Sequence, residues 1–356
     1  MIYVLLVFLI LLGIILPKSK FVQLLLVIVI YSIYALSFDG DDFLNYTFMY
    51  DSIASGEDSV YEVLFVKLLS FISKSGLPFF WARCIIYFFV VGLLVISVNK
   101  LTSFPNPVWA CYLIFSAFPD GPLIRNTIAM SIALFAISIC AKKQTQKRLF
   151  LSFLLLICAS LFHSSYWILI FCAIIMIAFY KGLSVKKYIF VFIIAFFIFT
   201  SMSNLVFEVF GEFAIRENVI EKYQTGQYAN WVGTCYNILK YILIAIPVFY
   251  CTKKKICNSN IHFFIYYLSL SFAVVLIVQN YAVNYSRLFR LLLLIIYIYC
   301  SNIIYSSRFN NKILYGFEMV LYSVVFACLF YLFENPDTQD TIWKMHFETN
   351  LLFNFL

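Results

Sequence analysis

The sequence predicts an all-α, polytopic membrane protein. Three observations carry that prediction: the composition, the length of the apolar runs and the distribution of basic residues between them. Of 356 residues, 64% are hydrophobic and 12% charged, and the mean hydropathy is +0.95. Soluble globular domains do not have that balance. A helix needs roughly 20 apolar residues to cross the hydrocarbon layer. Apolar runs cover 2–16, 20–38, 77–98, 106–118, 124–141, 148–162, 164–180, 186–208, 236–251, 261–281, 286–305 and 312–333. They make about 12 transmembrane helices, within a range of roughly 10–13 set by the spread of helix boundaries. The runs 106–118 and 148–162 are short for a full crossing. The chain, 1–356, reads as a single integral membrane domain.

The first run, Ile2 to Leu16, has no basic residue before it and no small-residue cleavage site after it. It is therefore expected to be a retained span and not a secretory signal. The loops between runs alternate in charge. One set holds Lys18 and Lys20, Lys100, the stretch Lys142 to Arg148, Lys181 with Lys186 and Lys187, Lys253 to Lys255, and Arg308 with Lys312. These loops contain fifteen of the 25 basic residues and none of the 17 acidic ones. Basic loops face the cytoplasm, so both termini are expected outside. The net charge of +8 is thus a topology signal, and no nucleic-acid partner is expected. The ten cysteines contain no CxxC pair, which argues against zinc or disulfide frameworks and for small buried apolar residues.

Three outward segments, 39–76, 209–235 and 334–356, carry the polar chemistry. The first opens with DGDDFLNYTFMYD and continues with Tyr61, Val63, Leu64, Lys67, Leu68 and Phe71 at helical spacings. That pattern predicts a short amphipathic helix at the interface. The second interleaves charged and aromatic residues, Tyr223 among them, around a turn at Gly226. No repeat of fixed period is present, which weakens a transporter or solenoid reading.

Ionisable residues in or at the edge of apolar spans are costly, and so are functional candidates. They are Arg83, Arg125, His163, Arg287, Arg290 and Glu318, and all except Glu318 fall at the outer ends of their spans. Outer arginines suit an anionic lipid head group, because guanidinium forks bind phosphate oxygens bidentately and stay charged. Arg83 by itself also fits an arginine that merely snorkels to the interface. Arg125 follows the turn FPDGPLI and opens a helix with Asn126. Arg287 and Arg290, three apart, share a helix face. His163, in SLFHSSYW, fits either a structural cap or a catalytic base. Asp39, Asp41, Asp42, Asp51 and Glu62 offer a general base or a divalent-ion site, with an ordinary hydrated loop as the plainer reading. Asn45, Tyr46 and Tyr50 offer hydrogen-bonding and stacking surface for sugar rings. Glu318, near the cytoplasmic end of its span, fits a packing residue bonded to a neighbour.

Four of these features come in a recognisable order: Asp42, Tyr46 and Tyr50 spaced as D-x-x-x-Y-x-x-x-Y, the RN opening of 125–134, the outer turn Phe162-His163-Ser164-Ser165, and NYSRLFR at 284–290. From about residue 1 to residue 330 the chain resembles the EpsG-like branch of the Wzy polysaccharide polymerases. That resemblance implies a type C glycosyltransferase-like membrane fold. It also implies an enzyme that joins oligosaccharide repeat units, carried on polyprenyl diphosphate, at the outer face of the bacterial cytoplasmic membrane, building O antigen, capsule or exopolysaccharide. Arg125, with His163 or Asp42 as base, is then expected at the reaction. Arg83, Arg287, Arg290, Asn126, Asn45, Tyr46, Tyr50 and Tyr223 are expected to bind substrate. The implied partners are lipid-linked donor and acceptor, membrane lipid and a chain-length regulator. The diphosphate leaving group supplies the energy, and no Walker or GxGxxG loop is present, so no nucleotide cofactor is expected; no residues are assigned as metal ligands. An O-antigen ligase shares the donor chemistry but usually has a larger outer domain. A lipid-linked oligosaccharide flippase predicts midplane charge that this chain largely lacks, and an acyltransferase needs a cytoplasmic donor.

Overall fold

In hydrocarbon every backbone N–H and C=O must be paired within the protein, which helices achieve along their own length. The computed structural model describes residues 2–37, 41–57, 61–141, 145–167, 169–170, 239, 243, 288–306, 311–329 and 349–355. All regular structure among the described residues is helical. The elements are α1 (Ile2–Ile15), α2 (Lys20–Ala35), α3 (Asp41–Ala54), α4 (Val63–Ser73), α5 (Phe79–Leu101), α6 (Pro105–Ile114), α7 (Ala117–Asp120), α8 (Ile124–Ala141), α9 (Gln146–Phe162), a 3-10 turn (Ser164–Tyr166), α10 (Leu288–Ser306), α11 (Lys312–Leu329) and α12 (Leu351–Phe355). Among the described residues four stretches are long and apolar enough to cross a membrane: α5, α8, residues Leu288–Tyr305 of α10, and α11. Helices α1, α2 and α4 are apolar but shorter.

Local chemistry explains the ends. Ser19 caps α2 by accepting from the Val22 amide at 3.4 Å, and Thr145 caps α9 by accepting from Arg148. Gly56 and Gly76 leave α3 and α4 with φ of 88° and 72°, the left-handed region that glycine enters without strain. The expected span 106–118 is two pieces, α6 and α7, broken at Phe115 and Ser116. At about 1.5 Å per residue α6 is about 15 Å long, half the hydrocarbon thickness. The amphipathic helix of the first outer segment is present as α4, but its inward residues are Phe65 and Leu69, while Val63 and Phe71 are exposed. The expected spans 186–208 and 261–281, and nearly all of 164–180 and 236–251, lie outside the described residues.

The chain divides into two compact units, Met1–Ser59 with Val66–Ser131 and Tyr297–Leu356, and Val60–Phe65 with Ile132–Ile296. In the first, α6 is enclosed by α1, α2, α7 and α11, and every residue from Pro105 to Leu113 is buried. Lipid tails provide no hydrophobic drive between helices, so close contact of small residues must supply the packing. A Cβ on Gly13 would lie 2.9 Å from the Ala110 Cβ, and one on Gly316 would lie 2.6 Å from both the Ile14 Cγ2 and the Tyr305 Oη. Val4, Phe8, Phe88, Phe89 and Leu321 point away from this core and are exposed, the surface expected to meet lipid. Asn350 fastens α12 to the end of α2, donating to the Ser32 carbonyl at 2.8 Å and to the Ser37 hydroxyl at 3.1 Å. In the second unit, α9 runs into the 3-10 turn at His163.

Candidate active site

Arg83 stands in the second turn of α5 and is 2% exposed. It does not snorkel. Its Nη1 donates to the Ser37 carbonyl at the end of α2. Its guanidinium lies between two rings, 5.3 Å from the centre of Phe43 on α3 and 5.7 Å from Tyr87 one turn along α5. The Nε has no hydrogen-bond partner, and among the described residues no carboxylate pairs with the group. Burying an ion costs several kcal/mol unless an opposite charge compensates it.

Arg125 opens α8 half-buried, and its Nε donates to the Tyr46 hydroxyl at 3.2 Å. Helix α3 therefore touches both arginines, Arg83 through Phe43 and Arg125 through Tyr46. Tyr50, one turn further along α3, donates to the Leu77 carbonyl at 2.8 Å and packs on Phe79 at 5.6 Å. Burial, and then the charge of neighbouring Asp51, raises the Tyr50 phenol above its ordinary value and keeps it a neutral donor. Tyr46 and Tyr50 are 6% and 3% exposed. This corrects their expected role as an open sugar-stacking surface: the i, i+4 spacing puts both on the face that docks α3 to the bundle, and Asn45 is the exposed member of the set.

Between α6 and α8 the chain passes through the single turn of α7 and the Gly121-Pro122-Leu123 link. The Tyr87 hydroxyl donates to the Gly121 carbonyl at 2.6 Å, and the Tyr112 hydroxyl donates to the Asp120 Oδ2 at 2.6 Å while meeting the Tyr34 hydroxyl at 2.5 Å. Asp120 is fully buried. Sequence reasoning passed over it because an aspartate between two prolines reads as a turn former. A carboxylate inside an apolar stretch five residues before Arg125 was the available signal. Asn126 is buried beside Arg125. Ser37 and Asn350 belong to the floor of the same region, and nothing in the sequence pattern marked them.

Of the remaining candidates, His163, Glu62 and Arg290 belong to the second unit, Glu318 belongs to the first, and the others lie outside the described residues. His163, 3% exposed, ends α9 and caps the 3-10 turn. Its Nδ1 accepts from the Ser165 amide at 3.3 Å and meets the Ser165 hydroxyl at 2.8 Å, so the neutral ring carries its proton on Nε2. Glu62 accepts from the Ser164 amide at 3.2 Å. The FHSS motif is thus a doubly capped turn. Arg290 is half-buried on α10. Glu318 is exposed on α11, not packed against a neighbour as expected. Asp39, Tyr223 and Arg287, and the side chains of Asp41 and Asp42, lie outside the described residues. Among the described residues no three His, Cys, Asp or Glu side chains group as metal ligands, and no disulfide joins the described cysteines.

Apolar helices that bury one arginine and half-bury a second beneath a covering helix are the arrangement of a membrane protein. The chain belongs to the EpsG family, whose model matches residues 20–347. That membership, together with the apolar helices, supports a bacterial membrane protein of polysaccharide biosynthesis with polymerase-like glycosyltransferase character. No curated protein matches the chain. No solved structure matches it either.

Proposed function

We propose that this protein polymerises oligosaccharide repeat units carried on polyprenyl diphosphate, at the outer face of the cytoplasmic membrane. The observation that carries this reading is Arg83, a buried cation with no carboxylate partner among the described residues, linked through α3 to Arg125. A terminal hydroxyl of the acceptor repeat attacks the anomeric carbon of the donor glycan. The new glycosidic bond forms as the bond to the diphosphate oxygen breaks, the hydroxyl proton passes to a base, and the lipid diphosphate departs with the electron pair. Its growing charge is met by Arg83 and Arg125, with Arg287 and Arg290 proposed as a further pair. Fixed cations in a desolvated site stabilise such charge far more than in water.

His163 and Asp42 are the proposed bases. The cap on the His163 Nδ1 means that it takes up a proton at the expense of that turn, which favours Asp42. Asn45, exposed on α3, and Tyr223 are proposed to meet sugar, and Asn126 to orient Arg125. Tyr46 and Tyr50 hold α3 over the arginines, so the donor diphosphate is admitted when α3 lifts. A chain-length regulator is the proposed protein partner.

Cells lacking their own copy, complemented with wild type, Arg83→Ala or Arg125→Ala at equal membrane level, test the reading on glycan gels. Loss of the polymer ladder with single repeat units still exported supports it. If no repeat unit reaches the outer face, the protein acts before polymerisation and the reading fails.

A further inference from the structure

We infer that the end of the first unit opposite Arg83 holds a binding site for the phosphate head group of an anionic phospholipid. A cavity of about 510 Å³ there is lined by Ile15, Pro17, Tyr305, Asn311, Lys312, Ile313 and Leu314, a volume in the range of small-ligand sites. Hydrogen bonds tie together the elements around it. Asn106, buried on α6, donates to the Leu16 and Ser19 carbonyls at 2.5 and 2.9 Å and so locks the α1–α2 turn. The Tyr305 hydroxyl donates to the Ile14 carbonyl at 2.8 Å, the Ser301 hydroxyl to Phe104 at 2.6 Å and the Asn302 amide to Leu101 at 2.9 Å. Gly316, one turn into α11, allows α11 to pack directly on Ile14 and Tyr305.

The charge converges on this cavity. Lys312 lines it and donates to the Tyr305 carbonyl at 3.3 Å. Lys18 follows Pro17 and sits 4.6 Å over the Phe104 ring, which stacks 5.7 Å from Tyr305. The positive end of α11 points the same way. These lysines belong to the basic loops that the charge alternation places at the cytoplasmic surface, where basic pockets between helices bind anionic lipid head groups. The apolar walls decide between a lipid and a free anion. Ile15, Ile313 and Leu314 are exposed at the rim, a surface that acyl chains cover and a soluble phosphate does not.

This inference is independent of the polymerase reading. The full-length protein is purified, and its retention of phosphatidylglycerol against phosphatidylcholine is measured by native mass spectrometry. Preferential retention of phosphatidylglycerol is expected. Lys18→Ala and Lys312→Ala should each weaken it roughly five-fold, while Lys18→Arg, Lys312→Arg and Lys67→Ala, the last an exposed lysine on α4, should leave it unchanged. Millimolar inorganic phosphate should not displace the lipid. Equal retention of the two lipids, full retention by the double alanine variant, or displacement by phosphate alone overturns the inference, the last outcome marking a soluble-anion site.

Discussion

The two ends of the first unit both present cations, and they treat them in opposite ways. At one end Arg83 is buried between two rings and bonded to a single carbonyl. At the other, Lys312 lines an open pocket and Lys18 stands over the neighbouring Phe104 ring, both exposed. A hydrated lysine costs the fold almost nothing and attracts an anion at long range. A desolvated arginine costs several kcal/mol and is kept where a charge must be met at short range, in a fixed direction. Under the two proposals above, the difference separates a site that acts on an anion from a surface that rests against one.

The largest expected effect breaks the comparison directly. Arg83→Met should lower the polymerisation rate about 100- to 1000-fold, the scale of removing one preorganised donor. It should leave thermal stability unchanged or raise it by about 1–4 kcal/mol, because a well-packed apolar residue replaces a buried ion. A strongly destabilised Arg83→Met protein would mean that the arginine is structural. Tyr112→Phe removes the hydroxyl donated to the buried Asp120 carboxylate and should cost about 1–3 kcal/mol of stability, read from thermal unfolding in detergent. Gly13→Ala places a methyl against Ala110 and should cost about 1–3 kcal/mol by overpacking. Wild-type stability in that variant would show that α1 and α6 have room to separate. Tyr46→Phe removes the hydrogen bond between the Arg125 Nε and the Tyr46 hydroxyl and should change KM for the donor by a few-fold with kcat nearly kept, since one part-buried hydrogen bond is worth about 1 kcal/mol. Smallest of all, Lys18→Ala should shift stability by less than about 1 kcal/mol, the scale of an exposed cation–π contact. A larger loss would place Lys18 in the fold and not at its surface.

Much of the architecture was legible without coordinates. The run predicted at 124–141 is α8 to the residue, and α1, α2, α5, α9 and α10 begin or end within about three residues of their predicted limits. Hydropathy finds such elements because unpaired backbone in hydrocarbon is prohibitive, so apolar length translates directly into helix. The same signal misread 106–118, where Pro105 and Pro107 open a short helix and the chain turns at Ser116 inside the bundle. A break is tolerated there because protein, not lipid, surrounds it.

Of the candidate site, residue type was legible and environment was not. Arg83, Arg125, Tyr46, Tyr50 and His163 were all identifiable as candidates, and the spacing of Tyr46 and Tyr50 implied one helix face. The inward direction of that face and the burial of Arg83 were decided by packing. A helix that is apolar on all sides has no polar face to announce which side meets lipid and which meets protein. Asp120 and Asn350 show the same gap, since their roles arise from partners on α6 and α2 far away in the chain. The sequence by itself determined that the protein is a helical membrane protein, which loops carry its positive charge and which family it resembles, because these depend on composition and local order. Only the tertiary structure decided which cation loses its water, since desolvation depends on what packs around a charge and not on where it stands in the chain.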